Sequence, residues 1–333
     1  LGGLDLETLV NRSQDLKVVA PAGFTSSMVD ASDASFGTAG LPEDLPTANA
    51  WAAATQALKL TLDGEAAEPA FINANNLENS SAAHVIIQSK THARGTVVID
   101  HTGTGRLAEI VEIIVGDESS LTVVSIQDWD DDAVHTSAQF ARIGRNAKLK
   151  HVVISLGGKT VRVTPTAEFT APGSEVELLG LYFADAGQHL EHRSYVDHAV
   201  ANCKSRVTYK GALQGKGAHT VWVGDVLIRK AAEGTDTYEL NRNLLLTDGA
   251  RADSVPNLEI ETGEIEGAGH ASASGRFDDE QLFYLQARGI AELDARRLVV
   301  RGFLNEIIQQ IGVNSIEERL NASIELELTR SNH

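Results

Sequence analysis

Between about residues 66 and 268 the chain alternates short aliphatic runs with small polar turns. Val97-Val98-Ile99, Ala108-Glu109-Ile110-Val111-Glu112-Ile113-Ile114-Val115 and Leu121-Thr122-Val123-Val124-Ser125-Ile126 are bounded by Gly, Asp, Asn and Ser, which predicts strands. The runs also recur. A turn residue is followed at +3 by a small or β-branched residue and at +5 by an aliphatic one. The copies are Gly116/Ser119/Leu121, Gly144/Ala147/Leu149, Gly173/Val176/Leu178 and Asn202/Ser205/Val207, and their starts at 116, 144, 173 and 202 differ by 28, 29 and 29. A fixed period of this size marks a stacked architecture, in which each coil buries its aliphatic residues against the coils on either side. The runs are too short and too β-branched for helical repeats, so the spacing predicts a β-solenoid of parallel strands. A β-sandwich with evenly spaced turns is the competing fold.

The flanks have a different texture. Residues 1–65 read as an irregular, partly helical lead-in, with an Ala-rich helix over Thr47–Leu58 after Pro46 and Thr47 as its cap. Residues 269–333 read as a helical domain. Asp278 and Gln281 have capping-box spacing, flanked by Phe277 and Leu282 as a hydrophobic staple, and Gly289 fits a left-handed stop. A second helix places Leu293, Val300, Phe303, Leu304, Ile307, Ile308 and Ile311 on one stripe and ends at Gly312. Ser315 and Glu318 make another capping box before Ile316, Leu320 and Ile324. These helices are expected to cap the last open coil, whose strand edges would otherwise be unpaired.

Composition narrows the function classes. Among 333 residues, 46 acidic side chains against 28 basic ones give a net charge of −18, a poor basis for gripping phosphates or anionic membranes. One cysteine, Cys203, excludes an internal disulfide and an all-cysteine zinc site. No run is long enough to span a membrane and no export signal is visible, which points to the cytoplasm. The first residue is Leu1, so the native chain is expected to extend upstream.

Little of the chemistry-bearing sequence forms a motif. Neither nucleotide-binding glycine pattern is present, and Thr102-Gly103-Thr104-Gly105 reads as a tight turn. Asp128, Asp130, Asp131 and Asp132 could ligate a hard cation, but without the glycine and distal glutamate of a calcium loop they read as a solvated turn. His189, His192 and His198 are dense, yet residues three apart on a strand face opposite ways. His189 and His192 therefore read as polar surface residues beside Glu191 rather than a zinc pair. Cys203, in Asn202-Cys203-Lys204-Ser205-Arg206, is either a buried packing residue or a thiol activated by its basic neighbours. His270 sits among Gly267, Ala268, Gly269 and Ala271 at the junction of strands and helices, with room for another group to approach.

Several blocks resemble the SufB/SufD family of iron–sulfur cluster assembly proteins. They are Leu190-Glu191-His192, Asn202-Cys203-Lys204-Ser205-Arg206, Asn243-Leu244-Leu245-Leu246, Pro256-Asn257-Leu258-Glu259-Ile260, His270, and the contiguous run from Gly275-Arg276-Phe277-Asp278-Asp279-Glu280-Gln281 to Gly289-Ile290. The likeness covers about residues 189–310. It implies a right-handed parallel β-helix with helical ends, in a complex with the paralogue SufB and the ATPase SufC. Within the family the chain is more similar to SufD: SufB members carry a glutamate directly after the junction histidine, where this chain has Ala271. SufD-like chains often have a cysteine two residues before it, where this chain has Ala268.

The resemblance implies a non-catalytic scaffold subunit that holds no cofactor stably by itself. Iron or a nascent cluster would meet His270 at the interface with the paralogue. The ATPase would contact the C-terminal helices near Arg276, Asp278, Gln281, Tyr284 and Arg288. Pairing with a second copy stays open. The rival class is a solenoid enzyme acting on acidic polysaccharide with calcium at Asp128–Asp132, and a purely structural solenoid is a third.

Overall fold

The computed structural model describes residues 12–13, 16–77, 80–276 and 279–330. The chain opens with β1 (Arg12–Ser13), β2 (Lys17–Val19), β3 (Phe24–Asp30) and α1 (Leu45–Ala53). Then come β4 (Gln56–Leu62), β5 (Ala70–Asn75), β6 (Ser80–Ser89), β7 (Arg94–Gly103), β8 (Arg106–Val115), β9 (Ser120–Trp129), β10 (Val134–Ile143) and β11 (Lys148–Ser155). The second half holds β12 (Thr160–Phe169), β13 (Glu175–Ala184), β14 (His189–His198), β15 (Lys204–Leu213), β16 (His219–Ile228), β17 (Asp236–Leu245), β18 (Arg251–Ile260) and β19 (Gly267–Arg276). Three helices close the chain: α2 (Asp279–Gln286), α3 (Glu292–Ile308) and α4 (Asn314–Arg330).

Even-numbered strands from β4 to β18 stack in one sheet and odd-numbered strands from β5 to β19 in the other. Every pairing along these two stacks is parallel, so eight two-strand coils form a β-solenoid, and the antiparallel sandwich is excluded. The repeat is present with one correction. Leu149 stands beside Leu121 and Val176, not Leu178, so the step from β11 to β13 is 27 residues rather than 29. A slip of two residues keeps every side chain on its face and leaves the hydrophobic pattern unchanged. The parallel stacks also start earlier and end later than the strand-rich texture does, with β4 at Gln56 and β19 at Arg276.

The main core fills the lumen between the sheets, in layers such as Leu121, Leu149 and Val176, all nearly inaccessible. The outer faces are apolar as well, and sheets buried on both faces need cover. Over the first sheet, α1 and its approach bury Ala82, Ala108, Ile110 and Phe140. This helix spans Leu45–Ala53 with Asp44 as N-cap, accepting from Thr47 N at 3.0 Å, so Thr47 is not the cap. Ala57 and Leu58, expected in the helix, belong to β4, where Leu58 pairs with Val85.

The C-terminal helices form, but they lie along the flank rather than over the end. Val300, Leu304, Ile308, Ile316, Leu320 and Ile324 pack on Val98, Val124, Ile126, Val152, Ile154, Leu181 and Phe183, the outer face of the second sheet. That surface is large, apolar and otherwise wet. Strands β18 and β19 carry mostly exposed or half-exposed small and polar residues and offer helices little to bury. Arg319 of α4 grips Asp100 through two bonds of 2.6 and 2.7 Å, and Lys210 of β15 reaches Glu306 and the Phe303 carbonyl. Gly289 has the expected positive φ of 83°. The capping box at Ser315 does not form: α4 starts at Asn314, and Glu317 rather than Glu318 reaches back to Gly312 N at 2.9 Å. Phe277 and Asp278 lie outside the described residues.

Candidate functional site

Strands β18 and β19 end the two stacks with no further strand beyond them among the described residues. The solenoid therefore has an open mouth. His270 is exposed there, on the last strand, beside its register partner Glu239 of β17. Parallel neighbours in register present their side chains on one face, and Ala268, two residues before His270, packs on the lumen core. His270 thus stands on the lumen side at the rim. A Cβ added at Gly267 would meet nothing within 4 Å, so the approach to the rim is open.

Beneath the rim the lumen turns polar. Tyr182 Oη donates to Asn243 Oδ1 at 2.7 Å and receives Asn241 Nδ2 at 2.9 Å, while Asn243 Nδ2 reaches Ser254 and Ser274, each at 3.1 Å. Glycines make room for this layer: a Cβ at Gly180 would fall 2.0 Å from the Tyr209 ring, one at Gly211 2.0 Å from Tyr182, and one at Gly224 2.3 Å from Trp222. Glu239 is 1% exposed, and neither of its carboxylate oxygens has a hydrogen-bonding partner among the described residues. Burial, with Asp225 adding like charge, pushes its pKa up to about 8. Tyr209 Oη and Trp222 Nε1 are likewise buried without partners.

Deeper in the lumen, His101, Glu109 and His135 bring ligand-type atoms within 4.8 Å of one another, all fully buried. The hydrogen bonds describe an ion pair rather than a metal centre. His101 gives Nδ1–H to the Ile126 carbonyl at 2.8 Å and faces Glu109 Oε1 through Nε2 at 3.1 Å. Burial opposes a charge on His101, yet the Glu109 carboxylate outweighs it and raises the pKa. Ser137 Oγ donates to Glu109 Oε2 at 2.8 Å. Trp129 Nε1–H donates to His135 Nδ1 at 3.2 Å, which places the proton of the neutral ring on Nε2, where a metal would need a lone pair. Burial lowers the His135 pKa to about 4.

A family model described as the SufBD core domain of SUF-system FeS cluster assembly matches residues 71–303, the solenoid and the start of the helices. The chain belongs to the SufBD family. It is 54% identical to an iron–sulfur cluster assembly SufBD family protein of Mycobacterium bovis, over 96% of this chain and 83% of that one. A Mycobacterium leprae protein of the same description is 51% identical, over 98% of this chain and 86% of its own length. A second M. leprae protein so described is 29% identical over 66% of this chain, a region that makes up 25% of that protein.

Against the SufBD pattern, the remaining predicted positions fall in separate places. Cys203 is buried in the lumen core, and burial raises its thiol pKa, so it is a packing residue and no activated nucleophile. His189 and His192 do face opposite ways, but only His189 lies at the surface, 3.1 Å from His219 across Nδ1 atoms. His192 and His198 are fully buried, His192 against Ser155 Oγ at 2.9 Å and His198 against Ser205 Oγ at 2.8 Å. Asp128, Asp131 and Asp132 turn to different partners, Ser323, Gln188 and Thr104, and do not converge on one point.

Near the helices, Arg276 pairs with exposed Asp248 at 2.7 Å, and Arg288 stacks over the exposed Tyr284 ring at 4.4 Å. Gln281 lies within α2, and Asp278 lies outside the described residues. Sequence reasoning missed Glu239, Asn241, Asn243 and Trp222. The signal was present in Thr237, Glu239, Asn241 and Asn243, polar at every second position, a pattern that ordinarily marks a solvated face. No described helix is long and apolar enough to cross a membrane.

Proposed function

We propose that this chain is a SufD-like, non-catalytic scaffold subunit of an iron–sulfur cluster assembly complex. The single observation that carries this reading is the open mouth, with His270 at its lumen-side rim. Ten residues each of β18 and β19 present a strand edge unpaired among the described residues, a template on which a second solenoid can continue both stacks. A SufB-like paralogue of the same family would bring coils of this kind to that template. The two SufBD family proteins of M. leprae, one 51% and one 29% identical to this chain, supply a precedent for paralogues in one organism.

Cluster formation is read as a shared task. The imidazole of His270 is a suitable nitrogen ligand for iron, the cargo of the complex, while clusters are held mainly by thiolates. This chain has one cysteine, and it is buried away from solvent, so the thiolates would come from the paralogue. A SufC-like ATPase would bind the C-terminal helices, where Tyr284 and Arg288 offer an exposed aromatic–cation pair. No nucleic-acid partner is expected of a chain with charge −18. The cytoplasm, where nascent clusters are handled, is the compartment this reading implies.

The test is co-expression with the paralogue and the ATPase of its own organism. Recovery of all three on one affinity tag is the expected result. His270→Ala should leave that assembly intact and reduce cluster formation on the intact complex sharply. Failure to recover the paralogue, or normal cluster formation with His270→Ala, would overturn the reading.

A further inference from the structure

We infer that Glu239 is a second protein ligand for a divalent first-row cation at the mouth, supplying carboxylate oxygen from the lumen while His270 supplies nitrogen from the rim. The inference deepens the reading of the mouth given above and assigns a role to a residue one coil below it.

Other buried acids of this fold have partners. Glu109 receives Ser137 and faces His101. Glu112, on the outer face under α1, accepts Gly37 N at 2.8 Å, Ala39 N at 2.9 Å and faces His84 at 2.8 Å. Both are saturated, as buried carboxylates must be, since an unpaired one is costly. Glu239 is as well buried and has no partner on either oxygen.

Its polar neighbours leave it unbonded. Asn241 and Asn243 are committed to Tyr182, to each other and to the serines of the last coil. Trp222 Nε1 and Tyr209 Oη stay unpartnered themselves. Gly224 keeps the space that the carboxylate shares with the indole: a Cβ there would sit 2.8 Å from Glu239 Oε1 and 2.3 Å from Trp222 Cζ2.

The register supplies the second ligand. Glu239 and His270 are paired positions on adjacent parallel strands, and such strands lie about 4.8 Å apart with side chains on one face. Two side chains so placed can reach one ion. Imidazole plus carboxylate suits first-row divalent cations. Two protein ligands leave positions open, as a site that must pass its cation on requires. The deeper His101–Glu109–His135 group is held differently: His101 Nδ1 is bonded to the Ile126 carbonyl, Glu109 faces His101 and accepts from Ser137, and the Trp129 donation leaves the proton of His135 on Nε2.

The experiment uses the full chain purified alone, titrated with Co(II) by visible absorption and calorimetry, and with Fe(II) under anaerobic conditions. One site is expected. Glu239→Gln and His270→Ala should each weaken it by about 10- to 100-fold, a loss of the size seen when metal-site support is removed. Glu239→Asp, which keeps the carboxylate, should retain more affinity than Glu239→Gln. Because the glutamine removes an uncompensated buried acid, its melting temperature should equal or exceed that of the native chain. Wild-type affinity in Glu239→Gln, or unchanged affinity in His270→Ala, would overturn the inference. So would equal losses from Glu239→Asp and Glu239→Gln. Paralogue recovery measured on Glu239→Gln separates the two claims: intact pairing with unaltered metal affinity sinks only the ligand assignment, while lost pairing in the native chain sinks only the scaffold reading.

Discussion

At one end of the solenoid, β3 and β2 run antiparallel against β4 and β5 and occupy the next places in their ladders. At the other end, β18 and β19 have nothing beyond them among the described residues. The outermost strands also differ in length, seven and three residues at the first end against ten and ten at the mouth. A parallel stack propagates by repeating its own cross-section, so a short antiparallel strand ends it, whereas a full-length parallel strand invites continuation. The lumen changes in step. Leu60, Leu62 and Ile72 fill the closed end, while Ser254, Asn243 and His270 stand at the open one. One end stops the stack, and the other leaves two full-length strand edges open among the described residues.

The largest effect expected from this contrast comes from the histidines buried in the lumen. Burial lowers the pKa of His135, His151 and His198 to about 4 and that of His192 to about 3. These rings are neutral when folded and titrate near 6.5 when unfolded. The unfolded chain therefore binds more protons in that window, and stability present above about pH 6.5 is lost as the pH falls toward 4. His101 and Glu239, whose pKa values are raised, act in the opposite sense but are two groups against four. Each neutral ring contributes about 2 kcal/mol to the loss by about pH 5. Melting temperatures measured from neutral to acid pH should fall steeply. A flat profile would show that the lumen histidines are not held neutral.

A single column of the lumen makes the second test. Leu62 at the closed end and Ile260 at the mouth belong to the same inward column through Ser89, Val115 and Ile143 at one end and Ile228 at the other. Leu62 is 1% exposed and Ile260 is 45% exposed. Leu62→Asp buries a charge in an aliphatic layer and should cost about 4 kcal/mol or more. Ile260→Asp should change stability by less than about 1 kcal/mol yet weaken paralogue capture at least about tenfold. Denaturant melts paired with a pull-down read both quantities. Similar stability losses at the two positions would erase the distinction between the ends.

Smaller again is the clamp on the flank. Arg319→Ala removes the two-bond grip on Asp100, a half-buried pair, and should cost about 1 to 2 kcal/mol. The loss should fall on the helices, seen as faster amide exchange in α4 with the mouth strands unaffected. Deleting the helices altogether would expose Val124, Ile126, Val152, Ile154, Leu181 and Phe183 at once, so point changes at Tyr284 and Arg288 are the cleaner probe of ATPase docking.

Much of this architecture is legible in the chain because a solenoid repeats its signal. The run from Gly116 to Val207 carries a nearly constant period, and the helix stripes at Val300, Leu304 and Ile308 and at Ile316, Leu320 and Ile324 are the faces that pack. Placement is harder to read. The same stripes would serve a cap or a flank, and only the apolar outer faces of β9, β11 and β13 decide between them. Polar lumen residues are harder still. His192, His198 and Glu239 obey the two-residue alternation of an inward face, but a polar alternation is ordinarily the solvent face. What reverses that reading is stacking, since each such layer is shielded by the layers on either side.

The smallest expected effect concerns the one thiol, and it sharpens the contrast between lumen and mouth. Cys203 sits immediately before β15 in the lumen core, 1% exposed, with Sγ 3.5 Å from the Ala201 carbonyl and 3.6 Å from that of Ala171. Lys204 and Arg206 do not activate it, because both are drawn to Asp236 on the neighbouring strand. Burial raises the thiol pKa, and native Cys203 should resist alkylation at neutral pH until the solenoid is opened with denaturant. Cys203→Ala should cost about 1 kcal/mol, the loss of one small buried group, and leave both paralogue capture and Co(II) affinity unchanged. Labelling of the folded chain at the rate of a free peptide thiol would put a reactive sulfur in the lumen and blur the division between a packed interior and a chemical rim.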